Sequence, residues 1–462
     1  MKIYSFPLLI IALLTVFTSC DNTTQQTTLP EEVSEPDDIS DDSLFTLVQE
    51  RTFQYFWDGA EPNSGMARER YHVDGVYPQD DRHIVAVGGS GFGVMAIIVG
   101  MERNFISFDE GVQRLQRIVN FLENADRFHG VWPHWINGET GEVKPFSPRD
   151  DGGDLVETAF MAQGLIAARQ FLRQHKETEL ADQIDRLWRD IEWDWHRRGG
   201  ENVLYWHWSP NHGWAMDFPL EGYNEVLITY ILAASSPTHG IPAEVYHEGW
   251  ARGGEITSDQ TTYGYDLILS HNGSPEYGGP LFWAHYSYLG LDPQGLEDRY
   301  ADYWELNRNH TLINRQWCVE NPDNYEGHGP KNWGLTASYT RRDDGSVGYA
   351  AHHPGRDRGV ITPTAALSSF PYTPEYSMEF MRNLYDNYRD QVFGPYGFYD
   401  AYSLEYDWFP QRYLAIDQGP IVVMMENHRS GLIWDLFMSA PEIQDGLRKL
   451  GFESPHLDDG DE

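Results

Sequence analysis

From residue 43 onward, apolar residues recur at three- and four-residue spacing, the pattern of helices with one buried stripe. Val112, Leu115, Ile118, Val119 and Leu122 show it clearly. The spacing predicts charged amphipathic helices over Leu44–Trp57, Phe108–Asn124, Glu177–Arg197, Glu297–Glu320, Glu375–Tyr388 and Glu442–Leu450. A second group is apolar nearly all round: Phe92–Val99, Leu155–Ala168, Val226–Ala234, Leu281–Leu289, Ala365–Phe370 and Ile421–Met425. Helices of that kind are buried. Each follows Gly, Pro or small polar residues suited to a helix start, such as Gly152-Gly153, Gly278-Gly279-Pro280 and Thr362-Pro363-Thr364. The two groups interleave, and Pro242–Ala251 can supply the outer segment between the third and fourth buried ones. Six buried helices ringed by outer ones describe an all-α (α/α)6 barrel. An irregular helical domain is the plainer arrangement that the same pattern allows. In a barrel the inner N-termini gather at one end, where their free N–H groups suit a polar pocket.

The two ends read differently. Residues 1–20 carry Lys2, then the apolar run Phe6–Phe17, then Phe17-Thr18-Ser19-Cys20. The run is short for a membrane span and fits a signal peptide. Its end resembles a lipobox, so Cys20 is the expected lipidation site, with a simple secretory signal as the other reading. Residues 21–42 hold eight acids and no base, a self-repelling tether. The segment 453–462 reads as an acidic tail that frays. The folded unit is therefore 43–452. With Cys20 lipidated, Cys318 has no partner and no disulfide framework is possible. These features place the chain in the cell envelope of a Gram-negative bacterium, periplasmic or outer-membrane, touching the membrane only through a lipid anchor and expected to be a monomer.

Charge narrows the function. Lys and Arg total 33 against 71 Asp and Glu, a net −38, and only 5 of the bases are Lys. So negative a surface repels phosphate backbones, which excludes nucleic acid as an expected partner, although salt adaptation gives the same excess. It also disfavours a lyase of uronic-acid polymers, which needs bases to neutralise its substrate. The 16 Trp and 27 Tyr offer flat apolar faces with polar handles, as sugar sites and ordinary cores both use.

Acids gather at the starts of the buried helices. Asp150, Asp151, Asp154 and Glu157 precede or open Leu155–Ala168. Asp154 with Glu157 at i+3 is a capping-box pattern that needs no catalysis, but two further acids exceed what a cap requires. Glu225 stands at the edge of a wholly apolar helix, where burial favours the neutral form that a general acid needs, and where an exposed dipole-complementing Glu is the plain alternative. Asp417 can cap its helix or present a carboxylate to the pocket. Gly88 to Gly93 looks like a nucleotide loop, but no βαβ unit surrounds it and close helix packing explains it better. His352-His353 lacks ligand company, and no metal or cofactor is expected.

Five long segments together resemble one family: Phe146–Gly164, Gly222–Pro237, Asn332–Ser338, Ile361–Pro374 and Ile416–Trp434. They look like the bacterial glycoamylase-like domain, and most resemble glycoside hydrolase family 144. The resemblance spans nearly all of 43–452. It implies an (α/α)6 barrel and metal-independent, inverting hydrolysis of β-1,2-glucan or sophoro-oligosaccharides. It also implies Glu225 of the Gly-Tyr-Asn-Glu motif as general acid and Asp417 of Ile-Asp-Gln-Gly-Pro as base, with Asp154 second. Asp150 and Glu157 would bind substrate, together with Tyr223. Trp132, Trp135, Trp283, Trp333 and Tyr413 are candidates for sugar stacking, and each could equally be core. A non-catalytic glycan-binding lipoprotein, or a glucoamylase-like hydrolase of another linkage, shares most of these features.

Overall fold

A computed structural model describes residues 39–457. The leader, Cys20 and most of the tether lie outside the described residues. Twelve α-helices dominate the described part: α1 Asp41–Trp57, α2 Val87–Glu102, α3 Phe108–Asn124, α4 Leu155–Gln174, α5 Thr178–Arg189, α6 Leu227–Ser235, α7 Tyr303–Glu320, α8 Pro363–Leu367, α9 Pro374–Val392, α10 Ala415–Ser430, α11 Leu432–Met438 and α12 Pro441–Leu450. None is long and apolar enough to cross a membrane.

The two predicted groups are both present. In α3, Ser107 and Glu110 close a full capping box, and Leu115, Ile118, Val119 and Leu122 face the core. In α2, every residue from Val87 to Met101 is buried. Its glycines allow close helix packing rather than phosphate binding: a Cβ at Gly91 would lie 2.3 Å from the Phe160 carbonyl of α4. The buried helices α2, α4, α6 and α10 contact one another in the pairs α2–α4, α2–α10 and α4–α6.

Some boundaries moved for local reasons. α1 begins at Asp41, inside the expected tether, because Ser40 caps it through the Ser43 N–H. Leu281–Leu289 is not one helix but two short 3₁₀ turns, Leu281–Ala284 and Tyr286–Tyr288, with His285 between them. Pro242–Ala251 contains a six-residue π-helical turn, Val245–Trp250. Glu297–Asp302 stays irregular ahead of α7, since Asp302 caps that helix on the Glu305 N–H. Part of the expected tail packs on the fold: Glu453 bridges Glu297, and His456 reaches Asp292 at 2.9 Å.

Short antiparallel strands sit between the helices. Arg70–His72 pairs with Arg412–Leu414, and Ile84–Ala86 with Trp135–Asn137. Gly153–Asp154 pairs with His207–Trp208, and Ala337–Arg341 forms a hairpin with Val347–Ala351. These strands carry the loops that wall the main cavity.

Candidate active site

The cavity measures about 980 Å³ and is lined from the starts of α4, α6 and α10 and from the strands above. Asp154, Glu157 and Glu225 line it, with Trp135, Phe146, Trp206, Phe218, Tyr286, Tyr339 and Tyr349 as aromatic walls and Arg70, Arg342, Arg412 and His134 as basic groups.

Asp154 is the N-cap of α4, fully buried, its Oδ1 accepting from the Val156 and Glu157 N–H groups at 2.9 Å each. The capping reading is therefore correct, but only half of the capping box forms. The Asp154 N–H donates to the Trp132 carbonyl instead, and Glu157 turns away to accept from the Gly88 N–H at 2.7 Å. That frees both acids to meet His134. Its Nδ1 lies 2.8 Å from Asp154 Oδ2, and its Nε2 lies 3.9 Å from Glu157 Oε1. Burial opposes a charge on His134, yet Glu157 and Asp154 outweigh it and lift the imidazole to about 9. Burial pushes Asp154 up, but the hydrogen bond and charge of His134 hold it below the usual carboxylate range. Glu157 is raised to about 7, first by burial and then by Asp154, with His134 opposing.

Glu225 is held by the turn before α6. Gly222 has φ +75°, a left-handed conformation that favours glycine, and a Cβ there would lie 2.3 Å from Asn272 Oδ1. Asn224 Oδ1 accepts from the Val226 N–H at 3.1 Å, and Ser287 Oγ donates to the Glu225 carbonyl at 2.7 Å. The half-buried Glu225 side chain faces the cavity. Burial raises its pKa to about 7, and the negative charge of Asp154 adds to this. The buried Trp283 indole N–H, without another partner, pulls the opposite way. Such a group is about half protonated at neutral pH and can give up a proton there.

The remaining candidates scatter. Asp417 lies in the first turn of α10 but does not cap it. Leu414 is the N-cap, and Asp417 is buried behind the cavity wall at Ile416 and Tyr286. Asp150 is buried beneath Asp154, 3.1 Å from His207 Nε2, and does not line the cavity. Trp135 does line it. Four aromatic expectations need correction. Trp132 is fully buried with its indole on the Leu122 carbonyl, and Trp333 is fully buried against Phe380. Tyr413 is fully buried, with its hydroxyl between the Tyr396 N–H and the Gly397 carbonyl. Tyr223 is fully buried, with its hydroxyl on Asn307 Oδ1 at 3.1 Å. All four are enclosed in the core, and Trp132, Tyr413 and Tyr223 also have their polar handles satisfied there, so no face is left for a sugar. Trp283 is buried and acts beside Glu225 rather than as a stacking wall.

Two features were missed. His134 carries no ligand-like spacing in the sequence, and Asp400 sits in the aromatic run Phe398-Tyr399-Asp400-Ala401-Tyr402. An acid flanked by aromatics was the available signal for the second. Among the described residues, His134, Asp150 and Asp154 are the group whose ligand atoms come within 4.8 Å of one another. Their atoms are mostly engaged already, with His134 Nδ1 on Asp154 and Asp150 Oδ1 beside His207.

Carboxyl groups at the starts of buried helices, in one cavity walled by aromatic rings, make a site suited to sugar rings and proton transfer. Comparison with known proteins agrees. The glycoamylase family model, described as "Putative glucoamylase", matches residues 217–441. An endo-β-1,2-glucanase from Chitinophaga pinensis, solved with sophorotriose and glucose, is 64% identical, with a TM-score of 0.89 over 91% of this chain and 100% of that one. An exo β-1,2-glucooligosaccharide sophorohydrolase from Parabacteroides distasonis is 44% identical over 435 residues, 89% of this chain. This chain spans 58% of the length of that curated relative. A fungal endo-β-1,2-glucanase from Talaromyces funiculosus, 12% identical with a TM-score of 0.63 over 88% of both chains, shares the fold. The chain belongs to the bacterial glycoamylase-like β-1,2-glucanase family, glycoside hydrolase family 144.

Proposed function

We propose that this protein hydrolyses β-1,2-glucan or sophoro-oligosaccharides with inversion, on an (α/α)6 barrel whose inner members are α2, α4, α6, the Leu281–Tyr288 turns, α8 and α10. The observation that carries the reading is Glu225, a carboxyl group held near pKa 7 inside an aromatic-walled cavity. Glu225 donates its proton to the departing glycosidic oxygen as the C1–O bond breaks. Water attacks C1 from the opposite face and loses a proton to the base.

Asp417 suits the base better than Asp154. Asp154 has its oxygens committed to two backbone N–H groups and to His134, and its pKa is held low, so it attracts a proton weakly. Asp417 is pushed well up by burial and by Asp400, which makes its carboxylate the stronger proton acceptor. Asp154, Glu157 and His134 then hold sugar hydroxyls, and Asp154 helps to keep Glu225 protonated.

Linear β-1,2-glucan incubated with the protein, followed by chromatography and proton NMR, tests this. The expected result is sophoro-oligosaccharides whose new reducing ends appear first as the α-anomer. No products despite glucan binding would identify a binding protein instead, and β-anomers first would overturn inversion. Residues 1–20 support a further reading as a leader that ends at a lipidated Cys20, which places the enzyme in a Gram-negative cell envelope. Mass spectrometry of the mature N-terminus checks it, since an unmodified Cys20 would contradict the anchor.

A further inference from the structure

Behind the Tyr286 wall of the cavity, two buried carboxyl groups from separate parts of the chain meet. Asp417 comes from α10, and Asp400 from the turn after the Gly397–Phe398 strand. Asp400 is 4% exposed and Asp417 is 2% exposed. Asp400 Oδ2 accepts from the Tyr339 N–H at 2.7 Å, and Asp417 Oδ1 faces the Tyr286 hydroxyl at 3.5 Å. The other oxygen of each acid, Asp400 Oδ1 and Asp417 Oδ2, is buried and has no other donor. Two bare carboxylate oxygens buried this way are untenable unless one carries a proton that both use. After burial, the charge of Asp400 is what raises Asp417 most, as two carboxyl groups side by side require. Glu69, Tyr286, Tyr339 and Tyr349 face the pair, with Arg70 and Arg412 beyond Tyr339.

We propose that the base of this site is not one aspartate but the Asp417–Asp400 pair holding a single shared proton, with the Tyr286 hydroxyl as its contact with the cavity. This rests on the hydrolytic reading above. As water attacks C1, its proton passes to the Tyr286 oxygen while the Tyr286 proton passes to Asp417. The pair goes from charge −1 to neutral, and Glu225 goes from neutral to −1 as it protonates the leaving oxygen, so charge and protons balance. Release of one proton from the pair and uptake of one by Glu225 restore the start. Asp400 never touches substrate. It is a positioning residue that shares the proton with Asp417, and such charge-assisted bonds are the strong ones.

Two variants and one spectrum test this. D400N keeps an oxygen for the Tyr339 N–H but offers Asp417 only a weaker amide donor. It should lower kcat at least tenfold, leave KM within about twofold, and move the acidic limb of the kcat profile upward by about one pH unit. Y286F should lower kcat comparably and leave that limb in place, because the pair is intact and only its route is cut. The spectrum needs no substrate: at pH 8 the same single carboxylic C=O infrared band should vanish in D400N and in D417N. Thermal melts confirm folding of each variant. Near-normal kcat with an unmoved limb in D400N overturns the pair, as does wild-type-like Y286F or a band that only one of the two aspartate variants removes. If the wild type does not cleave β-1,2-glucan, the hydrolytic reading fails, while the infrared band still decides whether the proton is shared.

Discussion

Gly164 on α4 offers a test of the packing that holds the site, because two effects of opposite sign compete there. In a free helix, Gly→Ala gains about 1 kcal/mol of propensity. Here a Cβ at Gly164 would meet the Gly91 carbonyl oxygen of α2 at 2.1 Å, with the Gly91 carbonyl carbon at 2.9 Å, and both atoms are backbone. Reaching even the 3.0 Å floor of real contacts from 2.1 Å moves the two helices apart by about 0.9 Å. A gap of roughly 0.5–1 Å forfeits a quarter to a half of the dispersion energy along an interface. Overpacking costs about 1–3 kcal/mol and occasionally more. The expected net effect of G164A is a loss of roughly 1 kcal/mol, read as a lower denaturation midpoint in urea with an unchanged slope. Activity should fall as well. The Gly88 N–H of α2 holds Glu157 of α4 at 2.7 Å, and helices pushed apart break that bond. A G164A protein as stable as the wild type, or more so, would refute the close-packing argument.

Other consequences follow from the same geometry. H134Q removes the cation between Asp154 and Glu157 and should lower both kcat/KM and Tm at pH 6.5. The folded pKa of His134, about 9, exceeds the ordinary 6.5, so its stabilisation is complete below pH 6.5 and is lost as pH rises through 9. The Tm gap between wild type and H134Q should therefore narrow from pH 6.5 to 9.5, and a constant gap contradicts the ion pair. Because Glu225 sits near 7, kcat/KM should decline as pH rises through about 7, and the limb should be missing in any residual activity of E225Q. Phe146 is 45% exposed and stacked on His134 at 4.1 Å, so F146A should raise KM roughly threefold to tenfold with a smaller change in kcat.

Much of this architecture was legible in the chain because helical periodicity and burial act locally. Phe108–Asn124 matches its expected bounds to the residue, since its apolar stripe has no interruption. The run Leu281–Leu289 was misread because an apolar stretch shows burial but not helix type; His285 breaks it into two turns. The acids at helix starts were visible, and Asp154, Glu157 and Glu225 do converge. Their partners were not, because His134 and Asp400 reach Asp154 and Asp417 through folding across 20 and 17 residues of intervening topology rather than through helical spacing. Aromatic residues were the weakest signal. Trp132 and Trp135 are three positions apart in one segment, yet the first is core and the second lines the cavity. Only the direction of each side chain decides that, and residue type carries no such information. Phe146 and Phe218, exposed at 45% and 54% beside the cavity, took the place of the buried candidates.

The central claim is that Glu225 protonates the leaving group. Its most direct test compares E225Q with wild type on linear β-1,2-glucan and on 2,4-dinitrophenyl β-sophoroside, whose leaving group needs no proton. A positioned general acid contributes about 10²–10⁴-fold. The account predicts a loss of that size on glucan and near-wild-type turnover on the dinitrophenyl substrate. Equal losses on both substrates, or an E225Q enzyme that still degrades glucan at the wild-type rate, would contradict it.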